Sequence, residues 1–228
     1  MTPAPREVRD DGLAADIAAE ATRLGIHLPP EAAGGLARYA TSLWAWNERL
    51  NLTRHTDVGR FVSRDVGDAA AIAERLAHGE RVLDVGTGGG APGVILAILR
   101  PDLRVELCDS VAKKARAVAA IVAEAGFTIP VHAAAAQELV AKRPAGRDRF
   151  DSLVVRAVAP LSKLLGWFEP LAGSFGRLLV IKGPRWEEEL AEARGKRLGR
   201  QVTIRRIASW PLRGTDNESV LLEIRATG

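Results

Sequence analysis

Residues 81–93 read RVLDVGTGGGAPG, in which a short apolar segment is followed by five glycines within eight positions. An apolar, helix-forming run, VILAIL, occupies residues 94–99. This order predicts a buried strand, a tight glycine turn and a helix. A glycine backbone can adopt positive φ and approach a ligand closely, while the free amide groups at a helix start face that ligand. The turn therefore indicates a site for a nucleotide-type cofactor.

Asp84 distinguishes between two cofactor types that such a turn could bind. The spacing Gly86-x-Gly88-x-x-Ala91 also fits the dinucleotide fingerprint, which is a weak signal on its own. In a nicotinamide-binding fold the position of Asp84 is normally apolar, whereas a carboxylate there can face the cationic amino-acid part of S-adenosylmethionine. The segment resembles the first motif of class I methyltransferases, which predicts cofactor contacts at Asp84, Gly86, Gly88, Gly90 and Ala91. The alternative is a structural glycine turn in another α/β protein.

The composition is that of a globular protein with one sizeable core. The chain has 228 residues, of which 47% are hydrophobic and 26% are charged. The longest apolar runs fall far short of the ~20 residues that span a bilayer, and residues 1–11 lack the apolar core of a signal peptide. We therefore expect a cytoplasmic protein with no membrane partner, and we expect a monomer.

The cysteine and histidine residues give no sign of a metal site. Cys108 is the single cysteine and ends an apolar segment, so we expect an inert core position and no intramolecular disulfide. The four histidines are scattered without the spacing of metal ligands; they are His27, His55, His78 and His132. We predict no bound metal and assign none of the histidines a role.

Charge is unevenly distributed along the chain. Residues 1–80 contain nine Lys/Arg against twelve Asp/Glu, whereas the remainder contains 23 against 16. This surplus suggests that a polyanionic substrate approaches the half with the glycine turn, although solvated basic loops are an equally common explanation. The acid-free run from Arg194 to Arg206 could likewise follow a nucleic-acid backbone or form a solvated face.

Hydrophobic periodicity predicts a helical N-terminal part followed by alternating strands and helices. Helices are expected at about residues 13–24, 30–46 and 58–77, which form an N-terminal helical cap, residues 1–78. A second part, residues 79–228, has expected strands at 81–85, 104–109, 130–133, 150–157, 176–182, 202–210 and 220–225, helices at 112–125, 161–168 and 186–197, and a loop at 137–149. The fold class is α/β, a Rossmann-like and mostly parallel sheet with a terminal antiparallel strand.

Polar residues follow several of the expected strands, on the side where open α/β sheets bind ligands. Asp109 could accept hydrogen bonds from both ribose hydroxyls, or it could cap the helix that follows Ser110. Arg156 could hold a phosphate or a cofactor carboxylate, or it could form a structural ion pair with the helical cap. Lys182 and Arg185 extend a positive rim around the same cleft.

Two missing motifs limit which kinds of atom could accept a transferred methyl group. Enzymes that methylate exocyclic amines usually carry an Asn/Asp-Pro-Pro-aromatic loop after the fourth strand, where residues 155–158 here read VRAV. Methylation of pyrimidine carbon-5 needs a cysteine nucleophile in that region, and Cys108 lies elsewhere. An acceptor that is already nucleophilic, such as a ring nitrogen with a free lone pair, is therefore favoured.

Several short motifs occur in a specific order along the chain. They are Trp46-Asn47-x-x-x-Asn51-Leu52-Thr53, Asp84-Val85-Gly86-Thr87-Gly88-x-Gly90-x-Pro92-Gly93, Asp109-Ser110-x-x-Lys113-Lys114, Arg156-Ala157 and Lys182-Gly183. Together they resemble the ribosomal RNA small subunit methyltransferase G family, also called glucose-inhibited division protein B, over roughly residues 36–225. The resemblance implies transfer of methyl from S-adenosylmethionine to N7 of a guanine in 16S rRNA, with that rRNA or the small ribosomal subunit as partner.

The resemblance also implies roles for individual residues. The cofactor site would be lined by Gly86, Ala91, Ala136, Gln137 and Arg156. The resemblance also places Lys113 and Lys182 in the basic rim. Because a ring nitrogen with a free lone pair loses no proton, we expect Arg156 and Lys182 to position the reactants and neither to act as a general base. The predicted RNA contacts are Arg64, Lys113, Lys182, Arg185, Arg197 and Arg200.

Three positions depart from the family pattern. Where Arg-His-x-x-Asp-Ser is expected, the chain has Arg64-Asp65-Val66-Gly67-Asp68-Ala69. An expected arginine is replaced at Ala135, and an expected basic residue before the last strand is replaced around Glu218. All three changes remove polar or basic groups on the substrate side.

Three other functions compete with an RNA guanine-N7 methyltransferase. A nicotinamide-dependent oxidoreductase would need a tyrosine near a lysine, and the only tyrosine, Tyr39, lies in the helical cap. A non-catalytic RNA-binding protein that retains the cofactor fold is a better rival because of the lost basic residues. A small-molecule methyltransferase is the third alternative.

Overall fold

A computed structural model describes residues 7–143, 146, 148–211 and 217–227, with side chains from residue 11 onwards. Residues 212–216, which lie between the last two expected strands where a turn from Leu212 to Asn217 is predicted, are outside this part of the chain. The strands are β1 (Arg81–Val85), β2 (Arg104–Cys108), β3 (Val131–His132), β4 (Ser152–Arg156), β5 (Arg177–Lys182), β6 (Val202–Pro211) and β7 (Glu218–Ala226). They form one sheet in the order β3-β2-β1-β4-β5-β7-β6.

The helices lie before the first strand and between most of the others. They are α1 (Glu7–Arg23), α2 (Ala32–Leu50), α3 (Val58–Arg60), α4 (Gly67–Ala73), α5 (Gly93–Leu99), α6 (Ala112–Glu124), α7 (Ala136–Lys142), α8 (Leu161–Phe168) and α9 (Trp186–Gly195). A π-helical segment, Phe61–Val66, joins α3 to α4, so the predicted third helix is one helical path with a wide turn in it. Of the helices that the structure describes, none is both long and apolar enough to cross a bilayer.

The predicted sheet is confirmed. Strands β3, β2, β1, β4 and β5 are parallel neighbours, and the last strand of the chain, β7, runs antiparallel to both β5 and β6. The nearly continuous apolar sequences of β4 and β5 suit strands that helices cover on both faces.

The strand order places the glycine turn at the topological switch point of the sheet, where the direction of the strand order reverses. Strand β1 pairs with β2 on one side and with β4 on the other, so the connections that follow β1 and β4 leave the sheet in opposite directions. Ligands bind in the crevice at such a point, outside the carboxyl ends of the strands. The segments after Val85 and Arg156 border this crevice.

Two apolar clusters cover the two faces of the sheet. One contains side chains from α1, α2, α4, α5 and α6, including Leu36, Ile72 and Ile95. The other is formed largely by α7, α8 and α9 with the opposite sides of the strands, including Leu83 and Phe168. The helical cap therefore shares a core with the first face of the sheet.

Polar contacts also join the cap to the sheet-covering helices. Ser42 of α2 donates a hydrogen bond of 2.7 Å to Glu124 of α6, and the Arg38 guanidinium donates to the Ala125 carbonyl. The division of the chain between residues 78 and 79 stays a prediction.

The prediction of a loop at residues 137–149 is wrong at its start. Residues Ala136–Lys142 form α7, which buries Ala136 and Val140 against the second face of the sheet. Two buried positions in seven residues produce little helical periodicity, and the segment lacks a side-chain cap at its start. Tertiary packing, which the local sequence does not reveal, stabilises this helix.

Candidate cofactor site and RNA-binding surface

The glycine turn after β1 has the backbone that its sequence predicts. Gly86, Gly88 and Gly90 have φ angles of 65°, 58° and 112°, which L side chains rarely adopt. Close packing restricts another glycine as well: a Cβ on Gly93 would lie 2.3 Å from a methyl group of Leu107. The turn therefore needs glycine both for its dihedral angles and for the approach of α5 to β2.

The turn is closed on one side and open at Gly88. A Cβ on Gly89 would lie 2.8 Å from the Leu43 side chain, and one on Gly86 would lie 2.7 Å from Val158. At Gly88, in contrast, the nearest atom to such a Cβ among the described residues, apart from the two chain neighbours, is the Gly86 carbonyl oxygen at 3.9 Å. This free space beside a backbone amide is where a ligand could approach the turn.

Asp84 is almost completely buried behind the turn. Its Oδ2 accepts hydrogen bonds from the Thr87 hydroxyl at 2.6 Å and from the Gly93 amide at 2.9 Å, which ties β1 to the start of α5. Its Oδ1 is buried and has no hydrogen-bond partner among the described residues. Burial raises the pKa of Asp84 to about 6, against the opposing effect of the two hydrogen bonds.

Asp109 lies beside Gly88 at the carboxyl end of β2. Its Oδ2 accepts a hydrogen bond of 3.2 Å from the Gly88 amide, and its Oδ1 accepts one of 2.8 Å from the Val111 amide. The second bond is a local contact two residues along the chain; it does not cap α6, whose N-cap residue is Val111 and which has no side-chain cap. The first brings the carboxylate to the open side of the glycine turn, where the predicted ribose contact would form.

The predicted cofactor residues Ala136 and Gln137 form the first turn of α7, which follows β3. Ala136 is buried and belongs to the same apolar cluster as Cys108 at the end of β2. Cys108 is buried, so the expected core position is confirmed, and burial raises the pKa of its thiol to about 12. Gln137 is partly exposed.

Arg156 forms an ion pair with the helical cap. At the end of β4, its guanidinium lies 2.5 Å from Asp65 and 3.2 Å from Asp68, and both carboxylates are almost fully buried. Burial lowers the pKa of Arg156, but the two carboxylates outweigh burial and keep this pKa above its ordinary value. Of the two interactions weighed from the sequence, the structure therefore shows the ion pair with the cap.

This ion pair is the centre of a larger polar network. Asp65 lies 3.0 Å from His55 Nδ1, and Asp68 accepts a hydrogen bond of 3.1 Å from the Trp210 indole. Burial raises the pKa of Asp68, and Arg156 opposes that rise. Nothing in the sequence assigns His55 or Trp210 a role, because their partners are ten and 142 residues away.

The network also explains one departure from the family pattern. Asp65 stands where the pattern has histidine, and it lies between His55 and Arg156. The neighbouring Arg64, a predicted RNA contact, has a buried Nε without a hydrogen-bond partner among the described residues. Its charge favours the ionised form of Asp68.

Lys182 is also neutralised by a nearby acid. At the end of β5, its ammonium donates hydrogen bonds of 2.7 Å to the Ala159 carbonyl and to Glu189 of α9. Glu189 accepts a further bond from the Leu161 amide at the start of α8. Lys182 therefore links the segment after β4 to two helices.

The exposed predicted RNA contacts fall into two groups. Lys113, in the first turn of α6, and Arg185, just before α9, follow the carboxyl ends of β2 and β5, as the glycine turn follows that of β1. Arg197 and Arg200 precede β6, whose start pairs with the end of β7 at the amino end of the sheet. The six residues of β5 correspond to about 20 Å along the strand. The structure therefore does not bring the second group to the glycine turn.

Two further features of the described part of the chain bear on where a ligand could bind. Within the described ranges, no group of three or more His, Cys, Asp or Glu residues could hold a metal ion. A groove of about 620 Å³ lies between α4 and the end of β6, where Gly67, Ala70 and Trp210 line it. This groove does not include the glycine turn, so only backbone geometry and acids mark the turn as the candidate cofactor site.

Comparisons with known proteins support this interpretation. The chain matches the family description "GidB: rRNA small subunit methyltransferase G" over residues 33–210. It is 42% identical over 190 residues to a "Ribosomal RNA small subunit methyltransferase G" of Rhodopirellula baltica, which covers 83% of this chain and 80% of the relative. A relative of the same name from Roseiflexus castenholzii is 38% identical over 80% of this chain and 79% of its own length. These matches confirm the resemblance that the motifs indicate.

A solved structure described as MtNAS in complex with MTA and tNA has a similar fold. Its TM-score is 0.54 at 16% identity, with 86% of this chain and 72% of that chain covered. The structure of a point mutant of MtNAS has a TM-score of 0.55, also at 16% identity, with 95% of this chain and 76% of that chain covered. At this level of identity the similarity supports the Rossmann-like fold alone.

Proposed function

Because the chain belongs to the ribosomal RNA small subunit methyltransferase G family, we propose that it methylates N7 of a guanine in 16S rRNA. The family is one of rRNA methyltransferases, and its membership together with the Rossmann-like fold supports S-adenosylmethionine as the methyl donor. The observation that carries the proposal is the glycine turn: it is open at Gly88 and has Asp109 beside it and Asp84 behind it.

The charges around the turn suit S-adenosylmethionine, which has a sulfonium and an ammonium group. Asp84 and Asp109 are buried at the switch point, and Asp84 Oδ1 lacks a hydrogen-bond partner among the described residues. A nearby cation would favour the ionised form of Asp84. We assign the cofactor's ribose to Asp109 and its close backbone contact to Gly88, where the turn is open. When bound, the cofactor supplies an activated methyl group.

The residues near the turn suit an acceptor that loses no proton. Guanine N7 has a free lone pair, so its attack on a methyl carbon requires no general base. Among the described residues that border the crevice, Asp84 is buried, Asp65 and Asp68 are paired with Arg156, and Asp109 accepts hydrogen bonds from the Gly88 and Val111 amides. The protein's contribution would then be alignment of the reacting atoms, which can supply ~7 to 11 kcal/mol.

Arg156 and Lys182 fit a positioning role better than direct capture of an anion, because carboxylates neutralise both cations. Arg156 anchors the end of β4, and Val158, two residues later, packs against Gly86. Lys182 holds the Ala159 carbonyl in the same connection. Both side chains would thus shape the wall of the crevice opposite β2.

The pairing of Arg156 and Lys182 with carboxylates also favours one alternative function. In this alternative the protein is a family member that binds RNA without catalysing methyl transfer. The two functions differ in methyl transfer, which can be measured with purified protein, labelled S-adenosylmethionine and 16S rRNA or small subunits. We expect label in the RNA with the wild-type protein. Binding of RNA with no incorporated label would support the alternative.

Two variants test the cofactor site in the same assay and by calorimetry. Asp109→Ala should weaken S-adenosylmethionine binding by ~1.5 to 3 kcal/mol, the value of a hydrogen bond to a charged group. Gly88→Leu should abolish binding by filling the open side of the turn. Gly126→Leu is the control, because Gly126 has a similar φ of 80° and also has free space at its Cβ. Equal cofactor affinity in all three variants would refute the site.

The partner and the cellular location follow from the proposed reaction. We propose 16S rRNA, free or within the small subunit, as the substrate and the cytoplasm as the location, where that substrate is found. The monomeric state stays a prediction.

A further inference from the structure

Tyr39 connects the helical cap directly to the glycine turn. It lies in α2, is completely buried, and donates a hydrogen bond of 3.0 Å from its hydroxyl to the Gly89 carbonyl. This contact spans 50 residues of sequence. A buried carbonyl that loses its donor keeps the full cost of desolvation, so the bond strongly favours one orientation of the Gly89 peptide.

The surroundings of Tyr39 leave its ring little freedom. The ring packs against Phe61 with centroids 6.1 Å apart, and a Cβ on Gly90 would lie 3.1 Å from the hydroxyl oxygen. Burial, and then the nearby Asp65, raise the pKa of Tyr39 well above its ordinary value. The hydroxyl therefore remains protonated and able to donate.

The bond to Tyr39 fixes the side of the turn that faces away from the open space. Leu43 and Leu52 contact the same peptide, close to where a Cβ on Gly89 would lie. From the other direction, the Gly90 amide donates a hydrogen bond of 2.8 Å to the Thr87 carbonyl. With Gly89 and Gly90 held in this way, the amide of Gly88 lies at the open side beside Asp109.

We propose that Tyr39 is a positioning residue for the cofactor: its hydroxyl orients the glycine turn for binding before the cofactor arrives. The proposal deepens the proposed function, since it rests on the cofactor site at Gly88. Preorganisation raises affinity by removing the entropy cost of ordering the site on binding.

Tyr39→Phe tests the proposal because it keeps the ring and removes only the hydroxyl. We expect the dissociation constant for S-adenosylmethionine, measured by calorimetry, to rise about threefold to tenfold, the factor that one lost neutral hydrogen bond supplies. The rate of methylation at saturating cofactor should stay within about twofold. Amide hydrogen exchange at residues 86–90 should become faster in the ligand-free variant.

Ser42→Ala is the matched control in the same helix. It also removes one hydroxyl, but the lost bond is to Glu124 of α6 and not to the turn. Its melting temperature should fall about as far as that of Tyr39→Phe, while its cofactor affinity and the exchange at residues 86–90 should match the wild type.

Two results would overturn the proposal: wild-type affinity in Tyr39→Phe, or an equal loss in Ser42→Ala, which would indicate a general effect of cap stability. The Gly88→Leu variant separates this failure from failure of the proposed function. If Gly88→Leu loses the cofactor while Tyr39→Phe binds it normally, the site is correct and Tyr39 has no positioning role. If Gly88→Leu also binds normally, the site itself is misplaced.

Discussion

Asp84 illustrates what a single residue contributes to this site. The sequence shows an acid where a nicotinamide-binding fold has an apolar residue, and this difference is enough to favour S-adenosylmethionine. The structure adds that one carboxylate oxygen connects β1 to α5 through Thr87 and Gly93. Those contacts depend on how the turn folds back onto the strand, which spacing alone does not define.

The raised pKa of Asp84 makes stability depend on pH. Because the folded pKa of about 6 exceeds the unfolded value, the neutral carboxyl favours the folded state, and this contribution is lost as pH rises through 6. Relative to Asp84→Asn, the wild-type free energy of unfolding should therefore fall by about 2 kcal/mol between pH 4 and pH 7. Denaturant unfolding of both ligand-free proteins across this range measures the difference. If the free energies of unfolding of the two proteins change in parallel between pH 4 and pH 7, Asp84 does not titrate in that range.

His55 marks the limit of residue-level prediction. Its sequence neighbours give no hint of function, and its partner Asp65 is read from the sequence only as a departure from the family pattern. The pairing becomes visible once the π-helical segment places Asp65 between His55 and Arg156. A side-chain contact between two elements leaves no periodic signal in a sequence.

At the level of elements, the Arg156 network joins the cap to β4. Removing the guanidinium that contacts both carboxylates would leave Asp65 and Asp68 buried without their main partner. Arg156→Ala should therefore lower the free energy of unfolding by ~3 to 5 kcal/mol. Chemical denaturation gives this value directly.

A triple variant provides the control for that prediction. Adding Asp65→Asn and Asp68→Asn to Arg156→Ala removes the unpaired charges, so part of the lost stability should return. If the triple variant is less stable than Arg156→Ala alone, the cost does not arise from buried charge. Loss of activity in Arg156→Ala is meaningful only at temperatures where the variant is folded.

Elements also determine which basic residues can reach a substrate at the crevice. Lys113 and Arg185 follow strands that end there, whereas Arg197 and Arg200 lie at the amino end of the sheet. Each phosphate contact adds about 0.7 to 0.9 to the slope of log affinity against log salt. Replacing Lys113 and Arg185 with alanine should reduce that slope by about 1.4 to 1.8 in binding assays with rRNA fragments.

The double alanine variant of Arg197 and Arg200 is a matched control, because it removes the same number of charges from the amino end of the sheet. We expect a smaller change in slope from this pair. A larger change in slope from Arg197 and Arg200 than from Lys113 and Arg185 would place the RNA on the face formed by the end of α9 and the start of β6. A slope near zero for the wild type would mean that both groups are only solvated.

Most elements could be predicted because strands and helices with long apolar patterns carry a local signal. The helix α7 could not, since it has two buried residues and no side-chain cap at its start. The π-helical turn at Phe61–Val66 could not either, because its side chains keep a nearly helical spacing. In both places tertiary packing determines the backbone.

For the molecule as a whole, the switch point brings together residues from distant parts of the chain. The glycine turn follows β1, Asp109 follows β2, Arg156 ends β4, and Tyr39 comes from the cap. The fold class and the cofactor turn could be predicted from one motif and the alternation of elements. The cap's contacts with the turn could not, because they are made by side chains 37 to 50 residues away from their partners.

Methyl transfer to a ring nitrogen should show little dependence on pH. Arginine and lysine side chains ordinarily titrate far above neutrality, and neither Arg156 nor Lys182 is assigned a proton transfer. Single-turnover methylation with saturating cofactor and RNA should therefore be nearly flat from about pH 6.5 to pH 9. A bell-shaped or steeply rising profile would require a titrating base and would point to an amine or hydroxyl acceptor.

The identity of the methylated nucleoside tests the central claim most directly. Small ribosomal subunits or 16S rRNA lacking the modification would be incubated with the protein and S-adenosylmethionine, digested to nucleosides and analysed by mass spectrometry. We predict 7-methylguanosine with the wild-type and Gly126→Leu proteins and none with Gly88→Leu. Methylation of any other atom, or 7-methylguanosine formed equally by Gly88→Leu, would contradict transfer to guanine N7 at the glycine turn.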